Sequence, residues 1–273
     1  MSTSHEPFLV PIEPEILDAV DQRATEIAGG ASVSSALAAA LALGSIPIAL
    51  GALARDVYGQ APSEVVDALQ LALLLEYLEL DFYTRASASA GLIPAADATI
   101  FNTILSHETV HVGALQTLIT GRGGVATARP AFDFTAKGAL AGFTFAATQY
   151  ETVKMLAQAF EDLGVRAYKG QAARLMGDKP ALNAALAIHS VEARHASEIR
   201  RLRGKKSWIT GSSRDDLPAF LQSVYAGEEN MSQGAVGVAA VAAGFGGTDA
   251  ATEAFDEPLT KAQVTAIVTP FLA

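Results

Sequence analysis

The chain has 273 residues, of which 50% are hydrophobic but only 7% aromatic, and it contains no cysteine. Disulfides, zinc–thiolate sites, iron–sulfur clusters and cysteine nucleophiles are therefore excluded. The formal net charge of −10 argues against a nucleic-acid partner, because phosphate binding needs a basic surface. The hydrophobic excess is alanine and leucine, which favours an all-α fold over sheets.

Residues 1–60 are predicted to form an N-terminal helical extension. An acidic helix is expected over 13–28, followed by a stretch over 29–54 that is rich in alanine and glycine and has no charged residue. This stretch is long enough for a transmembrane helix, but it is only marginally hydrophobic and Pro47 interrupts it. An export signal would have basic residues before its apolar core, and here the preceding residues are acidic. The favoured prediction is a small-residue helix packed against the protein body or a second copy, with membrane contact and export as alternatives.

Residues 61–204 are predicted to form a four-helix bundle. The helices are expected at 64–90, 95–120, about 138–177 and 178–203, each supported by helical spacing of apolar residues or by start and stop signals. Asp178 is placed as the N-cap of the fourth helix, with Pro180 in its first turn. The connection between the second and third helices is the longest, so two helical hairpins joined by a long crossover are expected.

Residues 205–273 are predicted to be a C-terminal extension with short helices. An amphipathic helix is expected over 216–227 and a last helix over 260–273. The Gly/Ala-rich stretch over 228–258 carries few structural signals. We expect the extension to be an appendage on the bundle and not a second catalytic domain.

One polar pattern occurs twice in the bundle segment. It consists of a glutamate, a tyrosine seven residues later, and a Glu-x-x-His pair whose glutamate follows the first by 32 residues in one copy and 31 in the other. The copies are Glu76, Tyr83, Glu108 and His111, and then Glu161, Tyr168, Glu192 and His195. Helix positions three apart lie about 60° apart on one face, so each Glu-x-x-His pair can meet one metal ion. The duplicated pattern therefore predicts a site for two metal ions.

The surroundings of Glu76, LALLLEYLEL, strengthen this prediction. A carboxylate in an apolar stripe costs several kcal/mol unless it is paired or bound to a metal. A single Glu-x-x-His pair is most often a solvated surface pair, but two pairs in register with the Glu-to-Tyr pattern favour the metal site. Glutamate oxygens and imidazole nitrogens suit iron, manganese or zinc, and redox use indicates iron or manganese.

Other polar residues near the pattern are weaker candidates. Tyr83 and Tyr168, the candidate catalytic residues, could hydrogen-bond bridging carboxylates or carry an electron, with ordinary core packing as an equal alternative. Glu79 corresponds to Gly164 in the repeat and is expected beside the ligands or at the surface. The remaining candidates are Glu151, as an alternative ligand, and His107 and His189, as supporting polar groups.

The duplicated pattern resembles the ferritin-like superfamily of bacterioferritins, rubrerythrins and related di-iron carboxylate proteins over about 64–203. The stretches LEYLELDFYTRASASAGLIP, SHETVHVGAL and EAFDEPLTKAQVTAIVTPFL look more closely like the branch of desiccation-related and fungal stress-responsive proteins. The resemblance implies a ferritin-like four-helix bundle that binds two Fe ions, or Mn ions as the alternative. It also implies terminal ligands and bridging ligands, namely Glu76, Glu161, His111 and His195 as terminal, and Glu108 and Glu192 as bridging.

Three functions are consistent with the sequence. The first is oxidation of Fe²⁺ with O₂ or peroxide, with metal ions and the oxidant as the partners, and the second is a di-manganese catalase-like activity. The third is a stress-protective or self-assembling protein with a structural or vestigial metal site. The small-residue stretches over 29–54 and 226–247 support this third function, because they predict a homo-oligomer. Export signals of the resembling branch carry basic residues that this N-terminus lacks, which favours the cytoplasm, with export as the alternative.

Overall fold

The computed structural model describes residues 62–233 and 236–273. The predictions for residues 1–60, including the apolar stretch over 29–54, lie outside the described residues. Within the described ranges, no helix combines the length and the apolar character needed to cross a bilayer. The described chain is mostly helical, as the all-α prediction requires.

Four long helices form the bundle. They are α1 (Pro62–Ala88), α2 (Ala98–Thr120), α3 (Tyr150–Ala172) and α4 (Lys179–Leu202). Helices α1 and α2 pack together as one hairpin and α3 and α4 as the other, while α1 also contacts α3 and α2 also contacts α4. The two predicted hairpins with a long crossover between α2 and α3 are confirmed.

The start of α4 follows the sequence prediction closely. The side chain of Asp178 accepts a hydrogen bond from the backbone N–H of Ala181 at 3.1 Å, and Pro180 lies in the first turn. This is the expected N-cap geometry, because the cap satisfies an otherwise unpaired N–H. Asp178 also forms an ion pair with Arg122 at the end of α2, which ties the two hairpins together.

The predicted third helix, about 138–177, is too long. Helix α3 begins only at Tyr150, after a 3₁₀ turn at Ala147–Gln149, and a second 3₁₀ turn at Ala173–Leu175 follows it. The reason lies in the crossover, where Gly138 and Gly142 have φ values of +90° and +83°. A right-handed helix needs negative φ, so these glycines belong to turns.

The crossover also contributes to the core. Phe134 packs edge-on against Phe82 of α1, with ring centroids 5.3 Å apart. Phe132 and Phe143 are buried as well. The irregular crossover therefore contributes aromatic rings to the hydrophobic core.

The C-terminal extension contains short elements only. They are a 3₁₀ helix at Ala219–Val224, a two-stranded antiparallel hairpin (β1, Ser232–Gln233; β2, Val236–Gly237), α5 (Ala239–Ala242), α6 (Gly247–Glu253), α7 (Lys261–Val268) and a 3₁₀ turn at Thr269–Phe271. The predicted helix over 216–227 is therefore a shorter 3₁₀ helix. The last helix is present but ends at Val268, and the stretch over 228–258 holds elements that the sequence did not indicate.

Buried charges fasten this extension to α3. Arg166 donates hydrogen bonds to the carbonyl oxygens of Glu257 and Ala226 at 2.8 and 2.9 Å, and it forms an ion pair with the buried carboxylate of Glu228 at 2.5 Å. At Gly170, a Cβ would lie only 1.9 Å from the carbonyl oxygen of Leu259. The extension therefore lies directly on the backbone of α3.

A second buried pair joins α3 to α4. Arg200 donates two hydrogen bonds to the carboxylate of Asp162, at 3.0 and 2.6 Å, and Tyr225 of the extension donates a third at 2.7 Å. All three side chains are almost fully buried. This network sets how the second hairpin and the extension pack against each other.

Candidate metal centre

The six predicted ligands lie together at the centre of the bundle. Each of the four helices contributes, α1 and α3 with one glutamate each and α2 and α4 with a Glu-x-x-His pair each. The four glutamates are 0% exposed, and the two histidines are 6% and 5% exposed. A set of four acids buried this deeply needs compensating charge, since isolated buried carboxylates are strongly unfavourable.

The six side chains divide into two overlapping groups. In each group the candidate ligand atoms lie within 4.8 Å of one another, and the groups are Glu76, Glu108, His111 and Glu192, and then Glu108, Glu161, Glu192 and His195. Glu108 and Glu192 belong to both. The geometry places the two shared glutamates between two positions that could each hold an ion.

Glu108 divides its two oxygens between the groups. Its Oε2 lies 3.0 Å from Nδ1 of His111, and its Oε1 lies 3.0 Å from Nδ1 of His195. Nδ1 of His111 is also 3.1 Å from Glu76, and Nδ1 of His195 is 3.3 Å from Glu161. Both imidazoles therefore direct the same ring nitrogen at the carboxylates.

The tyrosines connect the two hairpins. Tyr83 on α1 donates a 2.5 Å hydrogen bond to Glu161 on α3, and Tyr168 on α3 donates one of 2.5 Å to Glu76 on α1. Neither tyrosine donates to Glu108 or Glu192, so the predicted hydrogen bonds to the bridging carboxylates are wrong. The arrangement is reciprocal, since each tyrosine donates to the outer glutamate of the other hairpin.

The carboxylates and imidazoles of the cluster shift one another's pKa values. Burial disfavours the imidazolium of His111, but its hydrogen bonds to carboxylates outweigh burial and raise its pKa to about 12. For His195, the negative charges of Glu161 and Glu108 beside Nδ1 likewise outweigh burial and raise the pKa to about 11. Burial raises the pKa of Glu76 to about 8, whereas the hydrogen bond from His111 and the positive charge of His195 overcome burial at Glu108 and hold its pKa at about 2. The carboxylates around both imidazoles therefore favour a positive charge at the centre of the cluster.

Several buried atoms of the cluster have no hydrogen-bond partner in the described part of the chain. Glu108 Oε1, Glu161 Oε2, both carboxylate oxygens of Glu192 and Nδ1 of His195 have no hydrogen-bond partner among the described residues. Several lie within 3.3 Å of an opposite charge but outside hydrogen-bonding geometry. Buried polar atoms are normally paired, and metal ions accept these donor types. Ligand atoms about 2.0–2.2 Å from a common ion lie up to about 4.4 Å apart, close to the observed spread. The residues present therefore fit a metal site.

A fifth buried carboxylate makes the two halves unequal. Glu79 is 2% exposed and one turn beyond Glu76, and its repeat equivalent is Gly164. A Cβ at Gly164 would lie 2.8 Å from Oε2 of Glu192 and 3.3 Å from Oε1 of Glu79. The missing side chain therefore makes room for both carboxylates. The sequence signal was the apolar run around Glu76, which also surrounds Glu79.

The three remaining candidates have different positions. Glu151 is exposed at the start of α3 and pairs with Lys154, so its proposed role as an alternative ligand is wrong. His189 is half-buried on α4 and belongs to neither ligand group. His107 lies beside the cluster, where its Nδ1 is 2.9 Å from Nε2 of His195.

A cleft between α2 and α4 reaches this edge of the cluster. Its volume is about 520 Å³, and its lining includes His107, His195, Thr103 and Arg194. A cleft of this size admits small molecules and hydrated ions. The His195 side of the cluster is therefore the side that faces this cleft.

Comparison with protein families identifies the bundle. The family described as "Ferritin-like domain" matches residues 64–205, which is a little more than half of the chain. Comparison with curated proteins gives no match. The finer resemblance to the desiccation-related branch stays a prediction. With its helical bundle and its buried cluster of glutamates and histidines suited to metal, the chain belongs to the ferritin-like domain family.

Proposed function

We propose that the six clustered side chains bind two metal ions and that the protein oxidises Fe²⁺ with O₂ or peroxide at this centre. The observation that carries the proposal is the pair of overlapping ligand groups, because Glu108 and Glu192 belong to both. Two Fe ions are the preferred occupants, with Mn as the alternative, since both suit carboxylate and imidazole ligands and change oxidation state.

The protein side chains have separate tasks in this proposal. When bound, the ions would supply one-electron redox chemistry, with two Fe²⁺ and two protons consumed for each peroxide reduced to water, or four Fe²⁺ and four protons for each O₂. Glu108 and Glu192 balance the metal charge on both sides. Tyr83 and Tyr168 hold the outer glutamates in orientation by hydrogen bonds across the bundle. Burial excludes bulk water and strengthens each of these electrostatic interactions.

The activity is tested by adding Fe²⁺ to metal-free protein in air and following Fe³⁺ by its ultraviolet absorption. We expect the wild type to oxidise Fe²⁺ faster than buffer and Glu108→Ala to lose this acceleration, because the variant lacks a ligand shared by both positions. Glu151→Ala is the matched control, since it removes an exposed glutamate outside the cluster. Equal rates for the wild type and Glu108→Ala would contradict the proposal.

The alternative functions give different results in related assays. A di-manganese catalase-like centre would make the Mn-loaded protein release O₂ from peroxide rapidly while Fe²⁺ oxidation stays negligible. A structural or vestigial site would leave both activities absent, with assembly and stress protection intact in Glu108→Ala. Self-association through residues 29–54 also remains a proposal, and a monomeric mass for the full chain in solution would contradict it.

A further inference from the structure

The two halves of the cluster differ at the residue that precedes each Glu-x-x-His pair. In the first hairpin this residue is His107, and in the second it is Val191. His107 is on α2, and its Nδ1 lies 2.9 Å from Nε2 of His195 on α4. The two ring planes are within 13° of parallel. A hydrogen bond between the hairpins therefore exists on one side of the cluster.

The direction of this hydrogen bond follows from the other nitrogen of His195. Nδ1 faces Glu108 and Glu161 at 3.0 and 3.3 Å, which is the side where an ion would bind. With a metal ion on Nδ1, the ring proton is on Nε2, which donates to Nδ1 of His107. An accepting partner on the outer nitrogen fixes the tautomer and the ring orientation of a histidine ligand.

Among the described residues, the second ligand histidine, His111, has no comparable hydrogen bond on its outer nitrogen. Among the described residues, every hydrogen bond of His111 involves Nδ1, the nitrogen that faces the carboxylates. The residue that corresponds to His107 on this side is Val191, whose side chain cannot accept a hydrogen bond. The asymmetry comes from the sequence, because the surrounding ligand pattern is the same in both hairpins.

We propose that His107 is a positioning residue that strengthens divalent-metal binding at the His195 position and not at the His111 position. This inference rests on the proposed function, since it requires that both positions bind metal. Outer hydrogen-bond partners of ligating histidines typically change metal affinity by about 10–100-fold. The two positions therefore differ in affinity because of a residue that lies outside both ligand groups, and the better-supported position is the one beside the cleft.

The test uses Co²⁺ as the probe, because its visible absorption reports the ligands of each bound ion. The His111→Ala protein keeps the ligands of the His195 position, and the His195→Ala protein keeps the ligands of the His111 position. In the His111→Ala protein, His107→Ala should lower Co²⁺ affinity by about 10–100-fold. In the His195→Ala protein, the same change should leave Co²⁺ affinity nearly unchanged, because the imidazole that His107 contacts is already absent.

Two further variants separate positioning from general damage. His107→Gln should restore affinity at the His195 position, because the amide oxygen can accept the same hydrogen bond. Val191→Ala removes the corresponding side chain of the other hairpin and should change neither position, and thermal unfolding of each metal-free variant checks its fold.

If His107→Ala lowered Co²⁺ affinity equally at both positions, or at neither, the inference would be overturned while the proposed function stayed intact. Wild-type protein that binds no Co²⁺ and no Fe²⁺ would overturn both.

Discussion

Gly164 offers a direct test of how tightly the side chains of the cluster pack against the backbone of α3. It lies inside α3, and a Cβ there would be 2.8 Å from Oε2 of Glu192. Ordinary van der Waals contact begins at 3.4 Å, so this carboxylate would have to move by about 0.6 Å. Metal–ligand distances tolerate only about 0.2 Å of change. Gly164→Ala should therefore disturb a ligand shared by both metal positions.

The expected effects are a loss of affinity and little gain in stability. Replacing an interior helix glycine by alanine ordinarily stabilises a protein by about 1 kcal/mol, but overpacking a buried site costs about 1–3 kcal/mol. We expect metal-free Gly164→Ala to be no more stable than the wild type. We also expect its Fe²⁺ or Co²⁺ affinity to fall by at least about tenfold, the effect of disturbing groups that orient ligands.

Gly113 provides the matched control. It lies in the interior of α2, and a Cβ there would meet no atom within 4 Å. Gly113→Ala should raise the free energy of unfolding by about 1 kcal/mol and leave metal binding unchanged. Calorimetric titration with metal and denaturant unfolding of both variants measure the two effects. Unchanged metal affinity in Gly164→Ala would refute the steric reasoning and the assigned position of Glu192.

Three other predictions follow from the same geometry. Tyr83→Phe should weaken metal binding by about tenfold, because an outer glutamate loses its donor; a lost oxidation rate at saturating metal would instead show that Tyr83 carries an electron. Since ligands must be deprotonated and the pKa values of His111 and His195 are raised to about 12 and 11, metal binding should release protons and tighten as pH rises. Calorimetry in buffers of different ionisation enthalpy measures this release, and pH-independent affinity would contradict it. Asp162→Asn breaks a buried ion pair and should lower the free energy of unfolding by about 3 kcal/mol, whereas Glu198→Ala, in an exposed pair, should cost less than about 1 kcal/mol in the same denaturant assay.

The identity of the clustered residues could be predicted from the sequence because helix geometry is local. Residues three apart share a face, so a repeated Glu-x-x-His pair marks two faces that can meet at one centre. The apolar surroundings of Glu76 added the information that this face is buried. Together these signals were enough to select six side chains that the fold brings together.

The relations between hairpins could not be predicted in the same way. Tyr83 shares a helix stripe with Glu76, yet its hydrogen bond goes to Glu161 on the opposite hairpin. His107 has no partner within its own hairpin pattern, and its contact with His195 depends on how α2 packs against α4. Spacing along one helix contains no information about the offset between two helices, so these pairings needed the tertiary structure.

The predicted helix boundary is wrong where the amino-acid composition favours a helix but the backbone adopts turns. The alanine-rich stretch before Tyr150 has favourable helix propensity, but Gly138 and Gly142 adopt left-handed backbone angles in the crossover. Propensity is a weak guide where tertiary packing of residues such as Phe134 determines the path of the chain. The sequence left Glu79 either beside the ligands or at the surface, since a charged residue within an apolar run fits both positions. The structure buries it close to Glu192.

The most direct test of the central claim is anomalous scattering from crystals of protein purified without added metal and then loaded with Fe²⁺ or Mn²⁺. We predict two peaks about 3.5–4 Å apart, one beside His111 and one beside His195, with Glu108 and Glu192 between them. Scattering that shows no ion within the cluster, or ions only at exposed acidic groups, would contradict the account.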